Sequence, residues 1–251
     1  MPSVAALYRY PVKGLSPEPL SAAQLTPGET IPYDRAWAIE NGPSPFDPSA
    51  PKHLPKTHFL MLMRNERLAE LTTRFDEATG TLTIRRAGAL VAQGRLDTAD
   101  GRRAIEAFFD TFEADELRGP ARVLSCPGFS FSDTAAKVVS LINLETVAAI
   151  GREIAAEVNP LRFRGNLYVA GLPAWDEFAL VGKEISVGDV RLTVTKRIDR
   201  CAATTVNPVT AVRDLNIPKA LQRNFGHIDC GVYLKVETAG TVAIGDALIP
   251  P

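Results

Sequence analysis

Short runs in which apolar and polar residues alternate recur along the chain, and they predict a protein built mainly from β-strands. Residues 4–12 form the first such run, and residues 81–84 and 190–194 repeat the pattern. Gly-Asp pairs at 188–189 and 245–246 each separate two alternating segments, which is typical of a β-hairpin. The pattern therefore predicts a mostly antiparallel, closed barrel around the strand that starts at Val190.

Three segments have helical rather than strand spacing. Apolar residues recur every three or four positions in residues 101–113, which predicts an amphipathic helix whose aromatic stripe packs in a core. Asn143 can cap a second helix that follows a strand at residues 138–142 and stops at Asn159-Pro160. Residues 218–225 start with proline and precede glycine, as a short helix does. The expected fold class is therefore mainly β with a few helices (α+β).

Length and composition indicate an ordinary globular protein. The 251 residues are 45% apolar, enough for one large or two small domains. Composition shifts at residues 117–120, so we divide the chain into domains at 1–118 and 119–251. The 28 basic side chains are matched by 29 acidic ones, which argues against nonspecific binding of nucleic acid or an anionic membrane.

The cysteine count and hydropathy indicate a location. Three cysteines are too few and too unevenly spaced for a disulfide scaffold. No apolar run approaches the roughly 20 residues that cross a bilayer, and the start of the chain does not resemble a secretory signal. We therefore expect a cytoplasmic protein that does not insert into a membrane.

Cys201 is the residue at which we expect chemistry, because it follows a probable strand and lies close to two arginines. If that strand extends to Cys201, alternation places Arg197, Asp199 and Cys201 on one face and Arg200 on the other. A nearby guanidinium would favour the thiolate over the free thiol, whose pKa is about 8.5. The alternative is a small buried apolar side chain at the end of a core strand.

Basic residues elsewhere can form an anion site. Lys13 lies where a strand passes into a loop, and Arg35 follows a probable turn, although such residues are often only solvated. Residues 140–143 lead into a helix N-terminus, which favours an anion. Alternation would place Arg162, Arg164 and Asn166 on one side of an extended segment, where salt bridges at a domain face are the other interpretation.

A zinc site is the main metal alternative. Cys201, His227 and Cys230 are thiol and imidazole ligands that zinc accepts. However, structural zinc usually has four ligands with a closely spaced first pair, and Cys201 stands alone. The sequence therefore argues against zinc, and His58 and Cys126 are expected to be structural or incidental.

Several segments resemble one known family. Arg200-Cys201 followed by residues 204–208, and then residues 225–233, are similar to the signature of the MOSC domain, named after the C-terminal part of molybdenum cofactor sulfurases. Residues 7–15 and 34–37 resemble the N-terminal barrel domain that accompanies it in the amidoxime-reducing branch. Residues 161–169 resemble its Arg-Phe-Arg-Pro-Asn segment, with Gly165 in place of proline, and Gly14 stands where relatives more often have serine.

The resemblance implies an N-terminal β-barrel-like domain, a C-terminal MOSC β-barrel and a bound molybdenum cofactor (Mo-pyranopterin). It implies that Cys201 ligates molybdenum and is catalytic, with Asp199 and Thr204 supplying polar orientation. Combined with the anion-facing positions above, it predicts that the following residues hold the pterin and its phosphate: Lys13, Arg35, Ser140, Asn143, Arg164, Asn166 and Arg200.

The implied activity is reduction of a small N-hydroxylated or N-oxide substrate by oxygen-atom transfer. This chain has no cysteine cluster for an iron–sulfur centre, so a separate flavin or iron–sulfur reductase is expected as electron donor. Two alternatives remain open at this point. The chain could carry the cofactor, or a persulfide on Cys201, without turnover, or it could be a barrel that only binds other proteins.

Overall fold

A computed structural model describes all residues from 1 to 251, and it contains fifteen strands. In chain order these are β1 (Ser3–Arg9), β2 (Glu18–Leu20), β3 (Ala22–Leu25), β4 (Trp37–Asn41), β5 (Leu71–Asp76), β6 (Thr81–Arg86), β7 (Ala89–Arg95), β8 (Ala121–Ser125), β9 (Val139–Asn143), β10 (Leu167–Ala170), β11 (Glu184–Val187), β12 (Val190–Asp199), β13 (Asp229–Val236), β14 (Gly240–Ala243) and β15 (Leu248–Ile249). The protein is therefore mainly β, as the alternating pattern predicts.

Three α-helices accompany the strands: α1 (Ala99–Phe112), α2 (Leu144–Glu153) and α3 (Ile217–Phe225). Each helix has a side-chain cap at its N-terminus, from Thr98, Asn143 and Asn216 respectively. Such a cap satisfies a backbone N–H that has no partner within the helix. The caps confirm the role predicted for Asn143. None of the three helices has the length and hydropathy required to cross a membrane.

The larger part of the molecule is a barrel. Its strands are hydrogen-bonded in the order β15, β11, β12, β13, β9, β10, β1 and β2, and only β9 and β10 run parallel. The barrel closes where the amide of Val4 donates to Asp246 O at 2.9 Å and the amide of Gly245 donates to Val4 O at 2.8 Å. Its interior is a cluster of 21 buried apolar residues. The predicted closed, mostly antiparallel barrel around β12 is thus present.

The second part is built on a three-stranded sheet of β5, β6 and β7 and a two-stranded sheet of β4 and β8. Helix α1 packs against β7 and β8, and its buried face presents Ile105, Phe109 and Phe112 to a core of 15 apolar residues. Burying such side chains stabilises the fold by roughly 1.5 to 3 kcal/mol each. The aromatic stripe of this helix is therefore core, as predicted.

Strand pairing links the two ends of the chain. β1 lies in the barrel between β10 and β2, and β3 pairs with β14. Within the second part, β4 from before residue 118 pairs with β8 from after it. The chain thus passes from the barrel into the second part after β3 and returns after β8. The division at residues 118 and 119 stays a prediction, and elements on both sides of it share sheets.

One of the two predicted hairpins is wrong. β11 and β12 pair across Gly188-Asp189, but β14 and β15, which flank Gly245-Asp246, do not pair with each other. β14 pairs with β3, while β15 pairs with β11. The Asp246 carboxylate instead accepts a hydrogen bond from the amide of Ala243 at 2.8 Å, and the turn directs the chain from one sheet to another.

Candidate functional site

A cleft of about 200 Å³ lies between the barrel and the second part. Nine of the ten residues that the sequence predicts as site residues line this cleft. They are Lys13, Arg35, Ser140, Arg164, Asn166, Asp199, Arg200, Cys201 and Thr204. These residues come from distant parts of the chain, and the barrel closure and the return at β8 bring them together.

Cys201 lies two residues after the end of β12 and immediately precedes a short 3₁₀ turn, Ala202–Thr205. Its side chain is partly exposed, whereas Ile198 and Arg200 are buried and Asp199 is exposed. The strand ends at Asp199 and its register shifts between Arg197 and Asp199, and Arg197 does not line the cleft, so the predicted face of Arg197, Asp199 and Cys201 is only partly met. The Thr204 hydroxyl donates to the backbone oxygen of Cys201 at 2.9 Å, which fixes this turn. Thr204 thus orients the cysteine through the backbone and is itself buried.

The cation beside the thiol differs from the one predicted. The Arg200 guanidinium donates to the carbonyl oxygens of Cys230 and Phe163, and the guanidinium carbon of Arg197 lies 4.3 Å from the centre of the Phe178 ring. Neither arginine is hydrogen-bonded to the sulfur. That contact is made by Lys56, whose Nζ lies 3.3 Å from Cys201 Sγ. The prediction that Arg197 or Arg200 supplies this charge is therefore not met.

Lys56 belongs to the loop between β4 and β5, which sequence composition identifies only as a loop that could line the site. Its ammonium also lies 3.2 Å from Asp133 Oδ2. Burial lowers the pKa of Lys56, but the negative charges of Asp133 and Cys201 outweigh it and raise the pKa above its usual value. No strand or helix signal marks Lys56 in the sequence, so only the folded loop identifies it.

Lys13 is almost completely buried and lies on the side of Asp133 opposite Lys56. Its ammonium donates to Phe131 O at 2.8 Å and forms an ion pair with Asp133 Oδ1. Burial lowers the pKa of Lys13, and the neighbouring Asp133 charge offsets only part of that effect. Burial alone would raise the pKa of Asp133, but Lys13 and Lys56 hold it well below its usual range. Asp133 is a residue that sequence reasoning missed.

Arg35 and Arg164 lie on one aromatic ring. Their guanidinium carbons are 4.5 and 4.3 Å from the centre of the Tyr10 ring, a distance typical of a cation–π contact. Arg35 donates to the backbone oxygen of Arg164 at 2.9 Å, and Arg164 donates to Leu15 O at 2.8 Å. Burial, with the nearby Arg35 charge, lowers the pKa of Arg164. The two arginines form a rigid cationic wall.

The segment before β10 differs from its predicted conformation. Pro160–Phe163 is a 3₁₀ turn and Arg164 has a φ of 51°, so the segment is not extended. Arg162, Arg164 and Asn166 nevertheless all line the cleft. Arg162 is buried and donates to the carbonyl oxygen of Thr205 at 3.0 Å. Its contact fixes the turn that carries Cys201.

Ser140 and Asn166 connect the strands behind the cleft. The Asn166 side-chain oxygen accepts hydrogen bonds from the Ser140 amide at 3.1 Å and from its hydroxyl at 2.8 Å. The Asn166 amide nitrogen donates to Tyr8 O at 3.1 Å. Both side chains are buried and hydrogen-bonded within the protein. Their position in the cleft is as predicted, and these contacts hold β1 and β9 in register.

Asn143 does not reach the cleft. It is fully buried, its side-chain oxygen caps α2, and its amide nitrogen donates to Pro173 O and Glu177 Oε2, each at 2.9 Å. The strand before α2 points this residue away from the cleft and toward the aromatic cluster around Trp175. The helix-cap role is therefore confirmed, and Asn143 is the one predicted site residue that does not line the cleft.

Cys230 and His227, the other two residues of the zinc alternative, lie outside the cleft. Cys230 is fully buried in an apolar cluster, and burial raises its pKa to about 12. The His227 ring packs edge-on against the rings of Trp175 and Phe178. Neither residue lines the cleft, and no group of three or more His, Cys, Asp or Glu side chains is arranged to hold a metal ion. The geometry offers one thiol within a cationic cleft.

The fold and the cleft together define a two-part β protein with a single thiol among basic side chains. Residues 1–118 match the family model for the MOSC N-terminal beta barrel domain, and residues 128–249 match that for the MOSC domain. The chain therefore contains a MOSC N-terminal beta barrel domain and a MOSC domain, which confirms the resemblance seen in the sequence.

Characterised relatives are distant. The chain is 32% identical over 99 residues to the molybdenum cofactor sulfurase of Caenorhabditis elegans. This alignment covers 38% of this chain and 14% of that protein. It is 25% identical over 129 residues to human mitochondrial amidoxime-reducing component 1, and this alignment covers 47% of this chain and 37% of that protein. The matches thus span well under half the length of either relative.

Among solved structures, that of the YuaD protein from Bacillus subtilis aligns with nearly the whole chain. It aligns with 99% of this chain and 94% of its own chain, with a TM-score of 0.43 and 14% sequence identity.

Proposed function

We propose that this protein binds a molybdenum cofactor in the cleft and reduces N-hydroxylated or N-oxide compounds, with Cys201 as the protein ligand of molybdenum. The observation that carries the proposal is the convergence of one partly exposed thiol with Lys13, Arg35 and Arg164 in one cleft. The cofactor expected from the family combines a soft metal with an anionic phosphate. A thiolate suits the metal, and ammonium and guanidinium groups suit the phosphate.

The composition of the cleft fits such a group. Seven cationic side chains line it, against three carboxylates, so an anionic ligand would be attracted. Arg35 and Arg164 are held by Tyr10 and by backbone oxygens, and therefore do not have to reorganise when a ligand arrives. Lys13 is already desolvated, which strengthens its interaction with an anion.

Each residue near the thiol has a distinct role in this proposal. Thr204 and Arg162 fix the turn that begins at Cys201, so the sulfur is presented in one orientation. Lys56 donates a hydrogen bond to the sulfur. Asp199 is exposed at the cleft and can orient a polar substrate. Arg200 supports the wall through backbone oxygens and need not touch the cofactor.

When bound, the cofactor would supply the two-electron chemistry that a protein side chain cannot perform. Reduction of an N–O bond consumes two electrons and two protons and releases water. We propose that a separate flavin or iron–sulfur reductase delivers the electrons. Three free cysteines fit a reducing compartment, so we propose the cytoplasm as the location.

The test is metal analysis of protein purified from a host that makes the cofactor. We expect molybdenum and pterin to be retained by the unmodified protein and by Cys126→Ser, and to be lost from Cys201→Ser. The protein that retains molybdenum and pterin is then assayed with a hydroxylated amidine and a chemical reductant, and we expect the amidine to form. Equal molybdenum in both cysteine variants would refute the assignment of Cys201.

The second candidate function is a carrier of the cofactor or of a Cys201 persulfide. The partial exposure of the free Cys201 thiol supports it, because sulfur exchange needs a thiol that a second sulfur atom can reach. Retention of the cofactor without any reduction of the hydroxylated amidine would favour the carrier. Mass spectrometry of Cys201 after treatment with a persulfide donor would test the sulfur-carrying form.

A further inference from the structure

Asp133 places a negative charge of the protein's own in the centre of the cationic cleft. One carboxylate oxygen pairs with the Lys13 ammonium and the other lies 3.2 Å from the Lys56 ammonium. These lysines come from separate parts of the chain, the segment after β1 and the loop before β5. A single carboxylate therefore neutralises two cations that an anionic ligand would otherwise contact.

The segment that carries Asp133 is weakly attached to the rest of the fold. Residues 132–138 contain neither helix nor strand, and they make no backbone–backbone hydrogen bonds. The segment starts at Phe131, whose amide donates to Arg35 O at 2.8 Å, and it ends where β9 starts at Val139. Between these fixed points, side-chain contacts hold it in place.

Those side-chain contacts are few. Besides the two ion pairs of Asp133, the segment is held by Lys137, which pairs with Glu29, and by a 3.3 Å contact between the His53 ring and Ser132 O. The Asp133 side chain is 48% exposed, while that of Lys13 is only 7% exposed. The carboxylate can therefore leave for solvent, but Lys13 needs another anion in its place, because an unpaired buried charge is costly.

We infer that Asp133 is an internal counter-ion that holds residues 132–138 over the cleft and is displaced when an external anion reaches Lys13 and Lys56. The ligand class is a phosphate or a similar oxyanion, free or as part of a larger molecule. This inference builds on the site described under the proposed function, but it concerns the protein without molybdenum. Exchange of one anion for another keeps Lys13 compensated throughout.

Binding of inorganic phosphate to the cofactor-free protein tests the inference. We expect Asp133→Asn to bind phosphate about tenfold more tightly than the unmodified protein in calorimetry, because the competing carboxylate is gone. Asp199→Asn removes an equal charge from the same cleft without touching either lysine, so we expect its affinity to change less than twofold. In Asp133→Asn, adding Lys13→Gln should abolish the gain.

Backbone NMR relaxation of the unmodified chain provides an independent measurement, which avoids any folding defect of the variants. We expect phosphate to lower the order parameters of residues 132–138 while those of β9 stay unchanged. The inference is overturned if phosphate leaves the order parameters of this segment unchanged, if Asp133→Asn binds no more tightly, or if Asp199→Asn gains as much. These results are independent of molybdenum retention, so the proposed function and this inference fail separately.

Discussion

The Lys56 ammonium lies 3.3 Å from the Cys201 sulfur, although 144 residues separate the two in the chain. Lys56 begins a short 3₁₀ turn in the long connection between β4 and β5, and Cys201 lies two residues after the end of barrel strand β12. The contact therefore exists only because the two parts pack together. It gives the thiol a charged neighbour that the adjacent arginines do not provide.

This contact predicts slower alkylation of Cys201 when Lys56 is replaced by alanine. The ammonium is placed to stabilise negative charge on the sulfur as it attacks iodoacetamide. In a Cys126→Ser background at pH 7, we expect the rate to fall several-fold, and at most about tenfold. Lys56→Arg should retain most of the rate. Mass spectrometry of the Cys201 peptide over time measures it.

Lys196→Ala is the matched control for this prediction, because Lys196 lines the same cleft but its ammonium faces Tyr233, 5.6 Å from the ring centre. We expect the rate of Cys201 alkylation in Lys196→Ala to stay close to the rate in the protein with both lysines intact. Iodoacetamide is uncharged, so attraction of the reagent is not a factor. A faster reaction in Lys56→Ala would show that Lys56 only shields the sulfur.

The sequence was sufficient to predict much of this site, but not the contacts that loops make. Alternation identifies β12 and therefore the position of Cys201, and family-like motifs identify Lys13, Arg35 and Arg164. Lys56 and Asp133 lie in connections between strands that lack sequence periodicity, where no local pattern indicates which side chain turns inward. Their roles depend on long-range packing, so they emerge only from the fold.

Asn143 and the pair Gly245-Asp246 show a second limit. The capping preference of Asn143 is local and was predicted correctly, but the direction of its amide depends on Glu177 and Pro173, which are far along the chain. Likewise, Gly-Asp correctly predicts a turn, but not which strands pair on either side of it. Local signals specify local geometry, and pairing partners are decided by the whole barrel.

Gly165 is expected to resist substitution. A Cβ at this position would lie 2.3 Å from Cγ1 of Ile142, which is fully buried. The Gly165 amide also donates to the Tyr168 hydroxyl at 3.0 Å. We expect Gly165→Ala to cost roughly 1 to 3 kcal/mol of unfolding free energy from overpacking. Gly165→Pro should cost more, because it also removes the donor.

Urea unfolding of the single and double variants separates the clash from other effects. Ile142→Ala removes the side chain that the new methyl group would meet. We therefore expect the combination of Gly165→Ala with Ile142→Ala to be less destabilised than the sum of the two single variants. Strict additivity would show that the cost of Gly165→Ala does not come from Ile142.

Glu113 is a buried carboxyl group at the C-terminal end of α1. One of its carboxylate oxygens has no hydrogen-bond partner, and it lies close to the negative end of the helix dipole. Burial is the main cause that raises its pKa to about 7, and the nearby Arg67 charge opposes this only in part. The group therefore changes protonation near neutral pH and plays no part in the cleft.

This raised pKa predicts that the protein loses stability as the pH rises from about 4.5 to about 7. In that range the folded state holds a proton that the unfolded state has released, so unfolding becomes easier with increasing pH. Glu113→Gln cannot ionise. We expect it to change stability little at pH 5 and to raise it by about 1 to 3 kcal/mol at pH 8. Urea titrations at the two pH values measure the difference, with the exposed Asp115→Asn as a control for the lost charge. An equal gain at both pH values would contradict the assignment, because the effect would then come from packing rather than from the ionisation of Glu113.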